Sequence, residues 1–200
     1  METPQMNPLS REDLYSLEKY AEKRSDFRAQ VIEHKKDRRV DIGPNLSLYF
    51  EDRLTIQYQI QEMLRIERIF EADAIQEELD AYNPLIPDGD NLKCTAMFEF
   101  ADVAERRRRL AELTGVENHV WLQVGGLPKV FAIANEDLDR STDEKTSAVH
   151  FMRFELTPAM KSALTAGEQL KFGVEHDLYR FDVTLNEATH NALVQDLSAA

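Results

Sequence analysis

The sequence predicts an α+β fold in which N-terminal helices pack on a mixed, largely antiparallel sheet with interspersed helices. In the N-terminal part, apolar side chains recur at three- and four-residue spacing, which is the period of a helix. In the C-terminal part, short segments that alternate between apolar and polar residues are joined by hairpin turns. Helices followed by such closely connected strands favour an antiparallel sheet over a doubly wound parallel one.

Helix signals begin near Ser10, which forms a pattern close to a capping box with the aspartate three residues later. Ser25 is a second candidate N-cap, and apolar residues follow it at helical spacing. We expect this helix to end in the basic run 35–39, because cations are favourable at the negative end of a helix dipole. Residues 41–44 contain glycine and proline and break the helix, and residues 46–50 predict a short strand.

The segment 52–70 is the strongest helix prediction in the chain. Its first part, 54–60, alternates like a strand, but the apolar residues that follow do not, so one helix explains more of the pattern. Apolar side chains occupy nearly all of the helical arc outside one polar stripe, which predicts that this helix is substantially buried. Asp73, with a glutamine three residues later, predicts the start of another helix that ends before Pro84.

The C-terminal half is predicted to mix short strands with capped helices. Helices are expected to start at Asp102, at Thr157, where proline occupies the first helical position, and at Asn186. Gly125 and Gly126 predict a two-residue hairpin turn between two strands. The predicted strands are 94–100, 120–124, 127–134, 148–156, 170–174 and 179–183. We expect one domain over residues 9–198, with a disordered N-terminal tail over residues 1–8.

Charge and composition exclude several classes of protein. The net charge is −13, and residues 71–200 carry −12 of it, which argues against nucleic-acid binding. The single cysteine, Cys94, excludes a self-contained iron–sulfur cluster, because such a cluster needs several thiolates. The first residues lack a secretory signal pattern, and no stretch approaches the roughly 18 uncharged apolar residues of a membrane span. We therefore expect a cytoplasmic protein that does not enter a membrane.

Three glutamates of the central segment are candidate functional residues. Glu62 and Glu67 fall within the apolar arc of the predicted helix, where a carboxylate needs a partner, a metal or a raised pKa. Glu62 and Glu67 are five residues apart, so they point in different directions, whereas Glu67 and Glu71 are four apart and can share one ion. The alternative interpretation is an ion pair with an arginine or lysine of a neighbouring helix.

Two histidines complete the candidate pocket, which comprises Glu62, Glu67, Glu71, His34 and His150. His150 lies on the apolar face of its predicted strand, where a histidine is either a hydrogen-bonded core residue or part of a site. His34 continues an apolar helical face and is the histidine within the basic cluster. The sequence assigns neither a catalytic residue nor a metal ligand among the five.

Four stretches of the sequence, taken together, are characteristic of one protein family. They are residues 33–40, 50–67, 77–89 and 145–156. They resemble a bacterial family known only as domain of unknown function thirty-five-oh-one, and the resemblance extends roughly from Leu9 to the last helix. Genes of this family tend to lie beside those of rubrerythrin-like and iron–sulfur proteins. The resemblance therefore implies a setting in oxygen or peroxide defence or in electron transfer. It implies no catalytic residue.

Two functions follow as expectations. The first is an uncharacterised accessory protein that acts with a redox, rubrerythrin-like or iron–sulfur partner, since dinucleotide, phosphate-loop, Cys-x-x-Cys and His-Glu-x-x-His motifs do not occur. The alternative is a metal-dependent or carboxylate-based enzyme that uses the candidate glutamates with a histidine. The substrate, the identity of the partner and the oligomeric state are not predicted.

Overall fold

The computed structural model describes residues 7–136 and 145–197. Within these ranges, six helices and nine strands confirm the α+β class. Residues 1–6, which form most of the predicted tail, and residues 137–144 of the predicted charged loop lie outside the described residues.

Five of the six helices described begin at a side-chain cap. The exception is α3, which starts at Ala72 without a side-chain cap, so the predicted cap Asp73 lies inside the helix. Asp52 caps the central helix by accepting a hydrogen bond from Thr55 N at 2.9 Å. The Ser10 capping box belongs to a short 3₁₀ turn, and the first long helix starts after Ser16 and runs through Ser25 without a break. The helices are α1 (Leu17–Lys35), α2 (Arg53–Glu67), α3 (Ala72–Tyr82), α4 (Val103–Glu112), α5 (Pro158–Thr165) and α6 (Glu187–Val194).

The strands form two sheets, where the sequence predicted one, and every pairing within them is antiparallel. The strands are β1 (Arg39–Ile42), β2 (Leu46–Phe50), β3 (Asn91–Phe98), β4 (Val120–Val124), β5 (Val130–Phe131), β6 (Ile133–Ala134), β7 (Val149–Glu155), β8 (Leu170–His176) and β9 (Tyr179–Thr184). One sheet has the order β1-β2-β3-β7-β6 and the other β5-β4-β8-β9. The chain passes from one sheet to the other at Ala132, between β5 and β6.

The main hydrophobic core lies between the two sheets. Alternate residues of β3, including Leu92, Cys94 and Ala96, point into it and are at most 2% exposed. Burial raises the pKa of the Cys94 thiol well above its usual value, which makes it an inert core residue. At one edge, the Tyr179 hydroxyl donates to Ile42 O at 2.6 Å and so joins β9 to the end of β1.

A second core forms between the helices and covers part of the outer face of the five-stranded sheet. Ile56, Ile60 and Leu64 of α2 pack there with Leu79 of α3. Burial does not extend around the whole of α2, because Ile66 in its last turn is 62% exposed. Among the described residues, no helix combines the length and the apolar composition that crossing a membrane requires.

Candidate functional site

Glu62 is held by a cluster of donors between α1 and α2. The Tyr20 hydroxyl donates to its carboxylate at 2.7 Å, and Arg24 contributes two hydrogen bonds at 2.7 and 2.9 Å. Arg65, one turn further along α2, is 3.3 Å away. The hydrogen bond from Arg24 is the main reason that the pKa of Glu62 is lowered to about 2. The carboxylate is therefore a fixed anion in an ion pair between two helices.

Glu67 and Glu71 lie on the surface, on either side of the end of α2. Glu67 is the last residue of α2, and Arg68 adopts a left-handed conformation with φ of 56°. Glu71 occupies the N-cap position of α3 without making a side-chain cap. The four-residue spacing would bring the two carboxylates together only on a continuous helix, and this helix ends between them.

His34 pairs with Asp52 where α1 meets the start of α2. His34 Nε2 lies 2.5 Å from one carboxylate oxygen of Asp52, and the other oxygen caps α2. Burial alone would raise the pKa of Asp52, but the hydrogen bond with His34 and the charge of Arg38 lower it to about 2. His34 therefore belongs to the helix junction, whereas Glu62 lies ten residues further along α2, which corresponds to roughly 15 Å.

Arg38 forms a buried charged centre beside this junction, which sequence analysis missed. Its guanidinium is 3% exposed, pairs with Asp196 and donates to the carbonyl oxygens of Phe50, Glu51 and Ala192. Burial raises the pKa of Asp196 to about 6, although the charge of Arg38 opposes that shift. The sequence placed Arg38 in a basic run at the end of a helix, and no local signal distinguishes it from the neighbouring cations.

His150 is fully buried in a hydrogen-bonded network around β7. Its Nε2 lies 2.9 Å from Thr146 Oγ1 and 3.0 Å from Ser147 O, and its Nδ1 lies 3.0 Å from Asn135 Nδ2. The Thr146 hydroxyl donates to Glu117, so it accepts from the histidine, and the proton is assigned to Nε2 on this pattern. These contacts are typical of a hydrogen-bonded core histidine.

The five predicted side chains thus lie in different surroundings. Glu62 is between two helices, His34 is at a helix junction, His150 is in a sheet, and Glu67 and Glu71 are exposed. In residues 7–136 and 145–197, no group of three or more histidine, cysteine, aspartate or glutamate side chains is placed to hold a metal ion.

A concave surface lies between α3 and the outer face of β3 and β7, and we call it the cleft. Its volume is about 840 Å³. Lys93 of β3 and Arg153 of β7 are directly opposite each other in the sheet register and form part of its floor. The signal that could have found them is a cation on the outward face of each strand, which alternation along the strand identifies. The side chains that line it include Met63, Glu78, Tyr82, Lys93, Phe151 and Arg153.

A second surface feature is the turn between α2 and α3, and we call residues 66–71 the α2–α3 corner. Ile66 is 62% and Phe70 is 72% exposed, whereas Ile69 between them packs on the helical core. A groove of about 370 Å³ lies between Phe70 and the segment 11–18. The corner therefore places apolar side chains in solvent beside a concave surface.

Comparison with known families is consistent with the family predicted from the sequence. The model of the family described as "Protein of unknown function (DUF3501)" matches residues 8–197. The chain belongs to the DUF3501 family.

A solved structure shows the same fold as this DUF3501 protein. It is the crystal structure of a novel protein of unknown function from Burkholderia pseudomallei, at 1.90 Å resolution. The two chains are 50% identical and superpose with a TM-score of 0.91, and the match covers 96% of this chain and 100% of the other. No curated protein matches the chain significantly. These relatives establish family and fold, and function has to be argued from the surfaces described above.

Proposed function

We propose that this DUF3501 protein is an accessory protein that binds a redox protein, either rubrerythrin-like or iron–sulfur, through the α2–α3 corner. The observation that supports the proposal most directly is the exposure of Ile66 and Phe70 on one turn. Phe70, at 72%, is the most exposed large apolar side chain of the described residues. Burying such side chains against a partner would stabilise a complex by roughly 1.5–3 kcal/mol each.

The surroundings of the corner resemble the arrangement of protein interfaces. Charged side chains, including Arg65, Glu67 and Glu71, surround the apolar pair, and interfaces commonly have an apolar centre with a polar rim. The groove beside Phe70 offers a concave surface that a side chain of the partner can fill, as at the centre of many interfaces.

The backbone of the corner supports the same interpretation. Arg68 is left-handed, a conformation that an arginine adopts at a cost of roughly 1–2 kcal/mol. Its turn directs Ile69 into the helical core and leaves Phe70 outside. Residues held in such conformations cluster at functional sites, where the surrounding structure maintains them.

The nature of the partner follows from the family resemblance and from the thiol content. The resemblance implies neighbours that carry iron centres, and an iron–sulfur cluster needs several thiolates. This chain has one cysteine, Cys94, and it is buried. Cluster chemistry would therefore belong to the partner, and this protein would contribute a docking surface.

The alternative, a metal-dependent or carboxylate-based enzyme, requires the candidate glutamates to act with a histidine. Glu62 pairs with Arg24, and His150 is hydrogen-bonded within the sheet. No observation on the described residues favours this alternative.

The test is calorimetric titration with a rubrerythrin-like protein and an iron–sulfur protein from the same organism, each purified separately. A double variant, Ile66→Ser with Phe70→Ser, should weaken binding at least about tenfold, because central apolar contacts dominate interface energies. Val103→Ser on α4 is the matched control, since Val103 is also 62% exposed. Absence of binding by both partners, or equal weakening by the control, would show that the corner is not the docking surface.

A further inference from the structure

The floor of the cleft contains an ammonium group without a direct counter-charge. Lys93 is half-buried and donates to the carbonyl oxygens of Pro84 and Ile86 at 2.8 and 2.9 Å. These acceptors are neutral, and within the described part of the chain no carboxylate forms an ion pair with Lys93. An ammonium has three N–H donors, so one remains for another acceptor. Burial, which outweighs the opposing charge of Asp88, lowers the pKa of Lys93.

Arg153, directly across the sheet, differs from Lys93 in this respect. Arg153 donates two hydrogen bonds to the carboxylate of Glu136, at 2.8 and 2.7 Å, and also pairs with Glu155. Like charges directly opposite each other in a sheet are destabilising. Glu136 and Glu155 bond directly to Arg153, whereas they reach Lys93 only through their charge, without a hydrogen bond or ion pair. Lys93 is therefore the cation of the floor that a bound anion can contact directly.

The α3 wall of the cleft contains a carboxylate that, within residues 7–136 and 145–197, has no direct counter-charge. Glu78 is half-buried and, among the described residues, has neither a hydrogen-bond donor nor an ion-pair partner. Burial raises its pKa, and the charges of Glu67 and Glu77 raise it further. A partly buried carboxylate without a partner is unfavourable, and a cation in the cleft would relieve this.

The two groups lie apart along the cleft. The carbonyl oxygens that hold Lys93 follow the end of α3, whereas Glu78 lies within α3, six residues before Pro84, which corresponds to roughly 9 Å along a helix axis. The charges that act on Glu78 belong to the helices, whereas those that act on Lys93 belong to the sheet and the loop before it. Met63, Tyr82 and Phe151 supply apolar and aromatic surface in the same cleft. A volume of about 840 Å³ lies within the range of roughly 300–1,000 Å³ that is usual for small-molecule sites.

We propose that the cleft binds a small zwitterion whose ammonium group contacts Glu78 and whose carboxylate contacts Lys93, with an apolar body between them. In a free α-amino acid the two charges share one carbon and lie too close together to serve both ends of the cleft. A dipeptide with large apolar side chains separates them by a peptide unit, and it is the simplest ligand of this class.

The probe is leucyl-phenylalanine, with its N-acetylated and C-amidated forms, titrated calorimetrically into the full chain. We expect one saturable site, and blocking either terminus should weaken binding at least about tenfold. Glu78→Gln should weaken the free dipeptide by a similar factor and respond little to N-acetylation. Lys93→Gln should respond little to C-amidation, because each variant has already lost the matching contact.

The controls separate a direct contact from a general effect. Asp73→Asn on the same helix and Lys129→Met on the β4–β5 connection remove charges of the same sign outside the cleft lining, and both should leave affinity unchanged. The blocked peptides test the two contacts on the unchanged protein, even if a variant fails to fold. Lack of saturable binding at millimolar concentrations, or equal affinity for free and blocked dipeptides, would overturn the proposal. Neither result bears on the α2–α3 corner, which the partner titration tests separately.

Discussion

Replacing Arg38 by methionine is expected to destabilise the protein by about 3–5 kcal/mol, because it removes one partner of a buried ion pair. Arg38 is 3% and Asp196 is 5% exposed, so little water can replace the lost contact. The guanidinium also donates to the carbonyl oxygens of Phe50, Glu51 and Ala192. The variant therefore disconnects α6 from the segment that links β2 to α2.

The magnitude has two main sources. The three carbonyl oxygens each lose a hydrogen bond that contributes about 1 kcal/mol. Asp196, left without its cation, should then be protonated in the folded state at pH 7. Its pKa in the native protein is already raised to about 6, so raising it beyond 7 adds roughly 1 kcal/mol at about 1.4 kcal/mol per pKa unit.

The second source gives the prediction a pH dependence with a definite sign. A carboxyl whose folded pKa lies above the unfolded value of 3.8 stabilises the folded state most at low pH, and this stabilisation is lost as the pH rises through about 6. At pH 5, Asp196 is protonated in the native protein as well as in the variant. The destabilisation by Arg38→Met should therefore be about 1 kcal/mol smaller at pH 5 than at pH 7.

Urea unfolding at both pH values measures these differences through the transition midpoint at constant slope. Arg39→Met is the matched control, because Arg39 is exposed and pairs with Asp41 at the surface, where an ion pair contributes about 0–1 kcal/mol. A loss below about 1 kcal/mol for Arg38→Met would refute the buried-pair argument. A loss that is equal at pH 5 and pH 7 would refute the protonation of Asp196.

Three further predictions concern packing, the predicted pocket and the domain. Leu64→Ala should destabilise the protein by about 2–5 kcal/mol in urea unfolding, since Leu64 is 2% exposed, and a change within about 0.5 kcal/mol would contradict a packed core. Glu67→Gln should leave the NMR signals of the His150 ring unchanged through a pH titration, and any shift would show that the two residues are coupled after all. Limited proteolysis should not divide residues 9–198 into two stable fragments, and a split near 84–91 would contradict the single domain that we propose.

Local signals predicted the helix starts because a cap is formed within one turn. Asp52, Asp102, Thr157 and Asn186 each accept a backbone hydrogen bond from the residue three positions later. Ser25 has the same chemistry but lies inside α1, because Ser16 caps that helix and no breaker separates the two serines. The identity of a residue shows that it can cap a helix, and the neighbouring sequence decides whether a helix starts there.

Strand pairing was predicted less completely, because it depends on partners distant in the sequence. Residues 41–44 appeared to be a simple break, yet Arg39–Ile42 is β1. It is a strand because it pairs with β2 across a turn at Gly43, whose φ of +68° suits glycine. The division into two sheets depends on a crossing at Ala132, and no periodicity within β5 or β6 marks it.

The candidate site residues show that sequence pattern does not predict charge pairing between distant residues. Glu62 lies where helical periodicity placed it, but its partner Arg24 is on another helix, 38 positions away. Glu67 was expected within a buried apolar arc, but it is the last residue of α2, where even Ile66 is 62% exposed, and the chain turns at the left-handed Arg68. Periodicity predicts the face of a helix on which a charge lies, and it does not predict which opposite charge will be placed against it.

Lys93 and Arg153 of the cleft likewise have partners that the sequence pattern does not predict. Both are cations on the outward face of a strand, and they are paired with each other in the register of β3 and β7. Arg153 is neutralised by glutamates from the end of β6 and from its own strand, whereas Lys93 meets only backbone carbonyls directly. The difference arises from the segment that reaches each side chain, which is the end of β6 at Arg153 and residues 84–86 at Lys93. Two residues with the same sequence pattern thus differ in what they can bind. It is the tertiary arrangement that leaves one N–H of Lys93 to donate to the carboxylate of a ligand.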